Sequence, residues 1–203
     1  MIYLINPFIT SAERYGRNIG AIGGHQMPLG IYYLAAYLLK EGEEVKVMDC
    51  EALKLSHEEL VRILKESDAK VVGISSTTVS CHRACSLAKM IRQRVPEAKI
   101  VIGGVHVSAI PEETMLTGFF DYGIVNEGEI AFLKLVNFLI HSKGELEDIP
   151  NLYYLDRGRV LHTSTGEYIH NLDIVPFPAR HLCADISIYK PSIGAFRKKP
   201  VMN

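Results

Sequence analysis

The sequence lacks several features by which membrane proteins and nucleic-acid-binding proteins are recognised. It has no tryptophan, and its net charge of −1 gives no basic excess that would attract a nucleic acid. No apolar run approaches the roughly 18 residues that a membrane-spanning helix requires. With 203 residues, 48% of them hydrophobic and 22% charged, the chain is typical of one large globular domain or of one domain with an appendage. We therefore expect neither a membrane nor a nucleic acid as a partner.

Cysteine is scarce, and its spacing excludes the common cluster motifs. The four cysteines are Cys50, Cys81, Cys85 and Cys183, and none forms a CxxC pair. An iron–sulfur CxxxCxxC motif that began with Cys81 and Cys85 would need a third cysteine at position 88, which is Ala88. We interpret the thiols as free cysteines of a cytoplasmic protein.

The phosphate-binding and hydrolase motifs are also absent. The sequence contains no GxxxxGK[ST] loop, no GxGxxG after its first apolar run and no GxSxG elbow. The third apolar run ends in Ser75, where a phosphate-receiving domain would need an acidic residue. The eight histidines show no zinc-ligand spacing with the cysteines.

Short apolar runs that alternate with amphipathic segments dominate the rest of the sequence. The runs lie at 2–5, 45–48, 71–75, 100–103 and 122–125, and we predict them as strands. Predicted helices follow Pro28, Ser56, Ser80, Pro111 and Gly128. Five such units predict an α/β fold, a flavodoxin-like (Rossmann-like) doubly wound sheet of five parallel strands in the order 2-1-3-4-5. A sixth unit, which the dinucleotide-binding order requires, is missing.

The character of the sequence changes after residue 143. Residues 152–161 are typical of a β-hairpin with Gly158 in its turn, and 172–180 contain Pro176 and Pro178, which favour an extended linker. We expect a domain at 1–143 and a small hairpin and linker extension at 144–203. Because the chain ends without a helix cap, we expect that it was cut short.

Small and polar residues follow two neighbouring strands of the predicted sheet. Ser75, Ser76 and Thr77 end the third strand, and Gly103 and Gly104 end the fourth. In doubly wound sheets ligands bind beyond the carboxyl ends of the strands, so a ligand would lie here. The loop 8–27 and residues 126–129 would border the same crevice. The alternative is that these residues only turn the chain.

Five segments, taken in order, resemble the N-terminal cobalamin-binding domain of the cobalamin-dependent radical S-adenosylmethionine protein family. They are residues 28–38, 71–77, 102–106, 127–129 and 172–180. The last segment usually precedes the catalytic barrel of that family. The resemblance covers residues 1 to about 190.

The resemblance implies a role for each matching position. The nucleotide tail of cobalamin would pass between the third and fourth strands, with Ser75 hydrogen-bonded to it and Gly103 and Gly104 leaving room for it. A leucine at Gly104 would then block binding and leave the fold intact. Glu127 and Gly128 would line the corrin edge or, alternatively, cap a helix. The cofactor-binding residues that we expect are Ser75, Ser76, Thr77, Gly103, Gly104, His106, Glu127 and Gly128.

The sequence departs from the cobalamin families in two places. The DxHxxG motif that supplies a cobalt-ligating histidine in other cobalamin enzymes is absent, so we expect no protein metal ligand, with His25 as an alternative. The CxxxCxxC motif for a 4Fe-4S cluster and S-adenosylmethionine is absent as well. Both cofactors would belong to a missing C-terminal radical S-adenosylmethionine domain, the expected partner, and we expect no catalytic residue here.

The resemblance implies a cobalamin-binding module of a radical S-adenosylmethionine enzyme, most often a methyltransferase in this family. By itself the chain is not expected to be active. The alternative is a non-catalytic binding or docking module on the same fold, which binds another nucleotide-like ligand or none.

Overall fold

A computed structural model describes residues 1–16, 24–166, 168–183 and 185–189. Seven strands lie within these residues: β1 Ile2–Asn6, β2 Val45–Asp49, β3 Val71–Ser75, β4 Lys99–Gly103, β5 Tyr122–Ile124, β6 Leu152–Asp156 and β7 Arg159–His162. The α-helices are α1 Ser11–Tyr15, α2 Leu29–Lys40, α3 Cys50–Leu53, α4 His57–Glu66, α5 Cys81–Arg94, α6 Val105–Ala109, α7 Pro111–Leu116 and α8 Glu129–His141. The rest of the loop 8–27, at 17–23, and the terminal segment 190–203 lie outside the described residues.

All seven strands belong to one sheet with the order β2-β1-β3-β4-β5-β6-β7. The first five pair in parallel in the predicted order 2-1-3-4-5, so the flavodoxin-like prediction is confirmed. The hairpin β6–β7 does not stand apart from this sheet. β6 pairs antiparallel with β5, and β7 forms the outer edge.

Alternate residues of the strands supply two separate hydrophobic cores. Leu4, Val71 and Val101 point to the face covered by α2 and α8. Their neighbours Val72 and Ile100 point to the opposite face, which α4 and α5 cover. Successive side chains of a strand alternate between the faces of a sheet, so the continuous apolar runs of this sequence bury both faces.

The helix boundaries follow the local signals of the sequence. Pro28 occupies the N-cap of α2, and Gly42 follows its end in a left-handed conformation with a φ of +87°. Ser56, after which a helix was predicted, forms a capping box with Glu59 at the start of α4, in which each side chain accepts a hydrogen bond from the other's backbone N–H. These signals lie within one or two turns of the chain, which is why they can be read from the sequence.

Three short helices, α1, α3 and α6, were not predicted from the sequence. Each has only four or five residues, too few for an apolar period to show. A signal for α1 does exist, because Thr10 and Glu13 form a capping box around its first turn. No residue of α1 is buried, so polar contacts hold this helix in place.

Candidate functional site

A cavity of about 310 Å³ opens at the carboxyl ends of β3 and β4. It lies on the sheet face that α2 and α8 cover, and residues of both helices line it together with the strand ends. Its volume is at the lower end of the roughly 300–1,000 Å³ of small-molecule sites. Among the predicted site residues, the structure brings Ser75, Gly103, Gly104, Glu127 and Gly128 together around this cavity.

Five glycines line the cavity: Gly30, Gly73, Gly103, Gly104 and Gly128. At Gly103 the space beyond the backbone is open, because a Cβ added there would have Ile124 O at 3.8 Å as its nearest neighbour. At Gly30, on the opposite wall, a Cβ would meet nothing within 4 Å. The absence of side chains at these positions leaves volume that a ligand can fill.

Gly104 has a different role from that of Gly103, although the two are adjacent. Its φ of +99° and ψ of −178° fall in a region that is essentially restricted to glycine. A Cβ added to Gly104 would lie 2.6 Å from Ser76 O and 3.0 Å from Ser76 N, both backbone atoms. A side chain here would therefore disturb the loop itself, and the expectation that a leucine at Gly104 leaves the fold intact is not supported by this geometry.

Ser76 and Thr77 lie outside the cavity lining, where Ser76 links the loops after β3 and β4 and Thr77 orders the turn that leads into α5. The buried Ser76 donates its N–H to Gly103 O at 2.9 Å and accepts from the N–H of His106 at 3.2 Å. Thr77 donates its N–H to Ser80 Oγ at 3.0 Å, just before α5. The two bonds of Ser76 fix the ends of β3 and β4 relative to each other.

His106 also lies outside the cavity lining, within the first turn of α6. Its side chain is buried, and Nδ1 lies 3.3 Å from Thr78 Oγ1. The side chain thus makes a second link between the loops after β3 and β4. His106 therefore serves as a structural residue that joins two loops, and it does not face the cavity.

Glu127 and Gly128 connect the cavity to the start of α8. Gly128 is the N-cap residue of α8, and no side chain caps this helix end. Glu127 Oε2 accepts a hydrogen bond from the backbone N–H of Ile169 at 2.6 Å. Glu127 therefore ties the cavity wall to the segment that leads into the linker.

Asn126 and Glu129, the outer residues of the segment 126–129 that was expected to border the crevice, also line the cavity, together with Gly30, which the sequence did not single out. Asn126 adopts the left-handed conformation with a φ of +60°. The sequence indicated the segment 126–129 as part of a binding site. Nothing local distinguishes Gly30 from other helix glycines, so the sequence could not indicate it. Their relation to the cavity depends on how α2 and α8 pack on the sheet.

The alternative cobalt ligand, His25, is held by two carboxylates. Its Nε2 lies 3.0 Å from Asp49 Oδ2, its Nδ1 lies 3.2 Å from Glu51 Oε1, and its ring stacks on Tyr189. Burial alone lowers the pKa of His25, but the hydrogen bonds and charges of Asp49 and Glu51 outweigh it and raise the pKa to about 9. With both ring nitrogens beside acids, His25 would have to give up an ion pair before it could ligate a metal.

Comparison with known proteins decides the family. A model of the B12 binding domain matches residues 18–136. The chain belongs to this B12-binding domain family. The resemblance seen in the sequence is thereby confirmed.

No helix within the described ranges is long and apolar enough to cross a membrane.

The relatives in sequence are longer proteins. This B12-binding domain is 35% identical over 183 residues to an uncharacterized methyltransferase of Pyrococcus horikoshii, covering 89% of this chain and 38% of the relative. It is 29% identical to the cytidylyl-2-hydroxyethylphosphonate methyltransferase of Streptomyces wedmorensis, over 76% of this chain and 36% of the relative. It is 25% identical to an anaerobic magnesium-protoporphyrin IX monomethyl ester cyclase of Cereibacter sphaeroides, over 76% of this chain and 26% of the relative.

Solved structures share the fold. OxsB, a cobalamin-dependent S-adenosylmethionine radical enzyme with aqua-cobalamin and S-adenosylmethionine bound, matches with a TM-score of 0.74 and 20% identity. The match covers 88% of this chain and 24% of OxsB. TsrM of Kitasatospora setae, a radical S-adenosylmethionine methyltransferase, matches with a TM-score of 0.67 and 18% identity, over 86% of this chain and 32% of TsrM. The chain thus spans about a quarter to two fifths of the length of these proteins.

Proposed function

We propose that this B12-binding domain holds cobalamin with the nucleotide tail in the glycine-lined cavity between β3 and β4. One observation carries the proposal. Gly103 lies at the mouth of the cavity on an ordinary strand end, and the place of its missing side chain is open, with 3.8 Å to the nearest atom. A cavity that glycines keep free of side chains leaves room for a flat, rigid group such as the benzimidazole of the tail.

The cavity residues have distinct roles in this proposal. Ser75 Oγ hydrogen-bonds the benzimidazole or its linker, Gly103 leaves room for the tail, and Gly104 lets the loop pass close to Ser76 beside it. Glu127 and Gly128 line the edge of the corrin. Ser76, Thr77 and His106 act one layer further out, since their hydrogen bonds fix the loops on which the corrin rests.

The chemistry that cobalamin supplies when bound is the transfer of a methyl group carried by its cobalt. The residues of this chain bind and orient the corrin and exclude water from one of its faces. His25 takes no part in metal ligation in this proposal, because both of its nitrogens lie beside acids.

We propose further that the domain is part of a longer radical S-adenosylmethionine enzyme, a methyltransferase. The names of the Pyrococcus and Streptomyces relatives and the fold shared with TsrM support this. The cyclase relative keeps a different reaction open. S-adenosylmethionine and the 4Fe-4S cluster would bind to the remainder of that protein, and four free thiols fit a cytoplasmic location.

The direct test is corrinoid retention by the purified chain. After mixing with hydroxocobalamin and desalting, the protein should retain close to one equivalent, measured by its visible absorbance. Retention at background level would refute the cobalamin assignment and leave a docking module, or a module for another nucleotide-like ligand, on the same fold.

A further inference from the structure

The charged residues of the cavity are all acidic. Glu127 and Glu129 line it, and within the described ranges no lysine, arginine or histidine does. A phosphate group placed here would meet two carboxylates and no cation, which is electrostatically unfavourable. The cavity is therefore better suited to a group that donates hydrogen bonds.

The two acids differ in what already contacts them. Glu127 Oε2 is engaged by the N–H of Ile169 at 2.6 Å, outside the nucleotide slot. Glu129 stands in the first turn of α8, where its carboxyl lies beside the backbone groups of Gly128 and of Glu129 itself and is also acted on by the charge of Glu127. No side chain of the described residues donates to it. Because an ionised carboxylate has about four acceptor sites, Glu129 keeps room for a further hydrogen-bond donor from within the cavity.

The carboxyl of Glu129 is also poorly hydrated. Burial raises its pKa above the ordinary value, and the charge of Glu127 adds to the rise. The charge of Glu129 also acts on α2. There the pKa of Tyr37 is raised first by burial and then by the charges of Glu41 and Glu129. An acceptor in such surroundings gains more from a new donor than an exposed carboxylate does.

We propose that Glu129 is a binding residue of the cavity whose carboxyl accepts a hydrogen bond from a hydroxyl of the nucleotide tail. This inference rests on the proposed function and deepens it. The cavity then receives the uncharged nucleoside part of the tail, and the phosphate stays outside, away from both carboxylates. Corrinoids that lack the nucleotide do not use Glu129. The same acceptor could serve an amide of the corrin side chains, and the choice of ligands below separates the two sources.

The test compares two corrinoids on three variants. Glu129→Ala removes the acceptor, and Glu129→Gln keeps a neutral oxygen at nearly the same place. Glu58→Ala is the matched control, because Glu58 is an exposed glutamate in the first turn of α4, on the other face of the sheet. Affinities for hydroxocobalamin and for cobinamide, which lacks the nucleotide, are measured by absorbance titration, with thermal melting as the folding control.

We expect Glu129→Ala to weaken cobalamin binding about tenfold or more and to leave cobinamide binding within about twofold of the parent. Glu129→Gln should recover most of the loss, and Glu58→Ala should change neither affinity. A folded Glu129→Ala with parental cobalamin affinity would overturn the assignment. Equal weakening of both corrinoids would show that Glu129 contacts the corrin and not the tail. A parent chain that binds no corrinoid would instead refute the proposed function itself.

Discussion

The replacement of Gly103 by leucine should separate ligand binding from folding. Gly103 ends β4 opposite Ser75, and its φ is not in the left-handed region. Its backbone therefore accepts any residue, and the new side chain would extend into the 310 Å³ cavity with no atom closer than 3.8 Å to its Cβ. The Gly103→Leu chain should fold normally and bind cobalamin poorly.

The size of both effects can be worked from the structure. Overfilling a packed site typically costs about 1–3 kcal/mol, which lowers affinity about 5- to 150-fold. Glycine within a strand destabilises by about 0.5–1 kcal/mol relative to alanine, so the leucine should leave the free energy of unfolding unchanged or raise it slightly. Gly30 lies on the opposite wall of the cavity. Because a Cβ at Gly30 meets no atom within 4 Å, Gly30→Leu should likewise lower the cobalamin affinity without lowering the free energy of unfolding.

Gly104→Ala is the matched control, since it adds one methyl group to the adjacent residue. The φ of +99° and the approach of 2.6 Å to Ser76 O predict a loss of stability. Strain of this kind costs about 1–3 kcal/mol, or roughly 2–12 °C in melting temperature for a chain of this size.

The assay is visible absorbance after desalting, with circular dichroism melting of the same samples. The result that would refute the reasoning is a folded Gly103→Leu chain that retains cobalamin as tightly as the parent. In that case the tail does not pass between β3 and β4. A Gly104→Ala chain as stable as the parent would show that the loop after β4 relaxes around the added methyl group.

Two further predictions concern His25 and the part of the protein that follows Asn203. The folded pKa of His25 is about 9 against an ordinary 6.5, so its ion pairs with Asp49 and Glu51 stabilise the fold fully below about pH 6.5, and this contribution is lost as the pH rises through 9. Urea unfolding should show that the difference in the free energy of unfolding between the parent and His25→Ala shrinks from pH 6 to pH 10. Cobalamin retention by His25→Ala should stay nearly unchanged. A changed cobalt spectrum would mean that His25 ligates the metal. The open reading frame should encode a CxxxCxxC motif within a few dozen residues after Asn203, and genomic sequence that shows a stop codon there would contradict the radical S-adenosylmethionine assignment.

Much of the fold was determined by the sequence alone, because the signals for it are local. Five apolar runs, each ending in turn residues, predicted the parallel strands and their order, and Pro28 and Ser56 predicted helix starts that the structure confirms. The family could be recognised for the same reason, since its motifs are short segments at the strand ends. Helices of four or five residues escaped because they are shorter than the period that would reveal them.

Only the tertiary structure decided how the polar residues divide between ligand cavity and scaffold. Ser75 and Ser76 are neighbours in sequence, yet one lines the cavity and the other bonds the loops, because successive residues at a strand end face opposite directions. Gly103 and Gly104 look alike in the sequence and differ in φ and in what surrounds their missing side chains. The sequence placed Glu129 near the crevice, but its entry into the cavity lining depends on α8, which packs on the same face as α2 and brings its first turn there. Contacts between segments far apart in the chain depend on how helices pack on the sheet, and local sequence patterns do not carry that information.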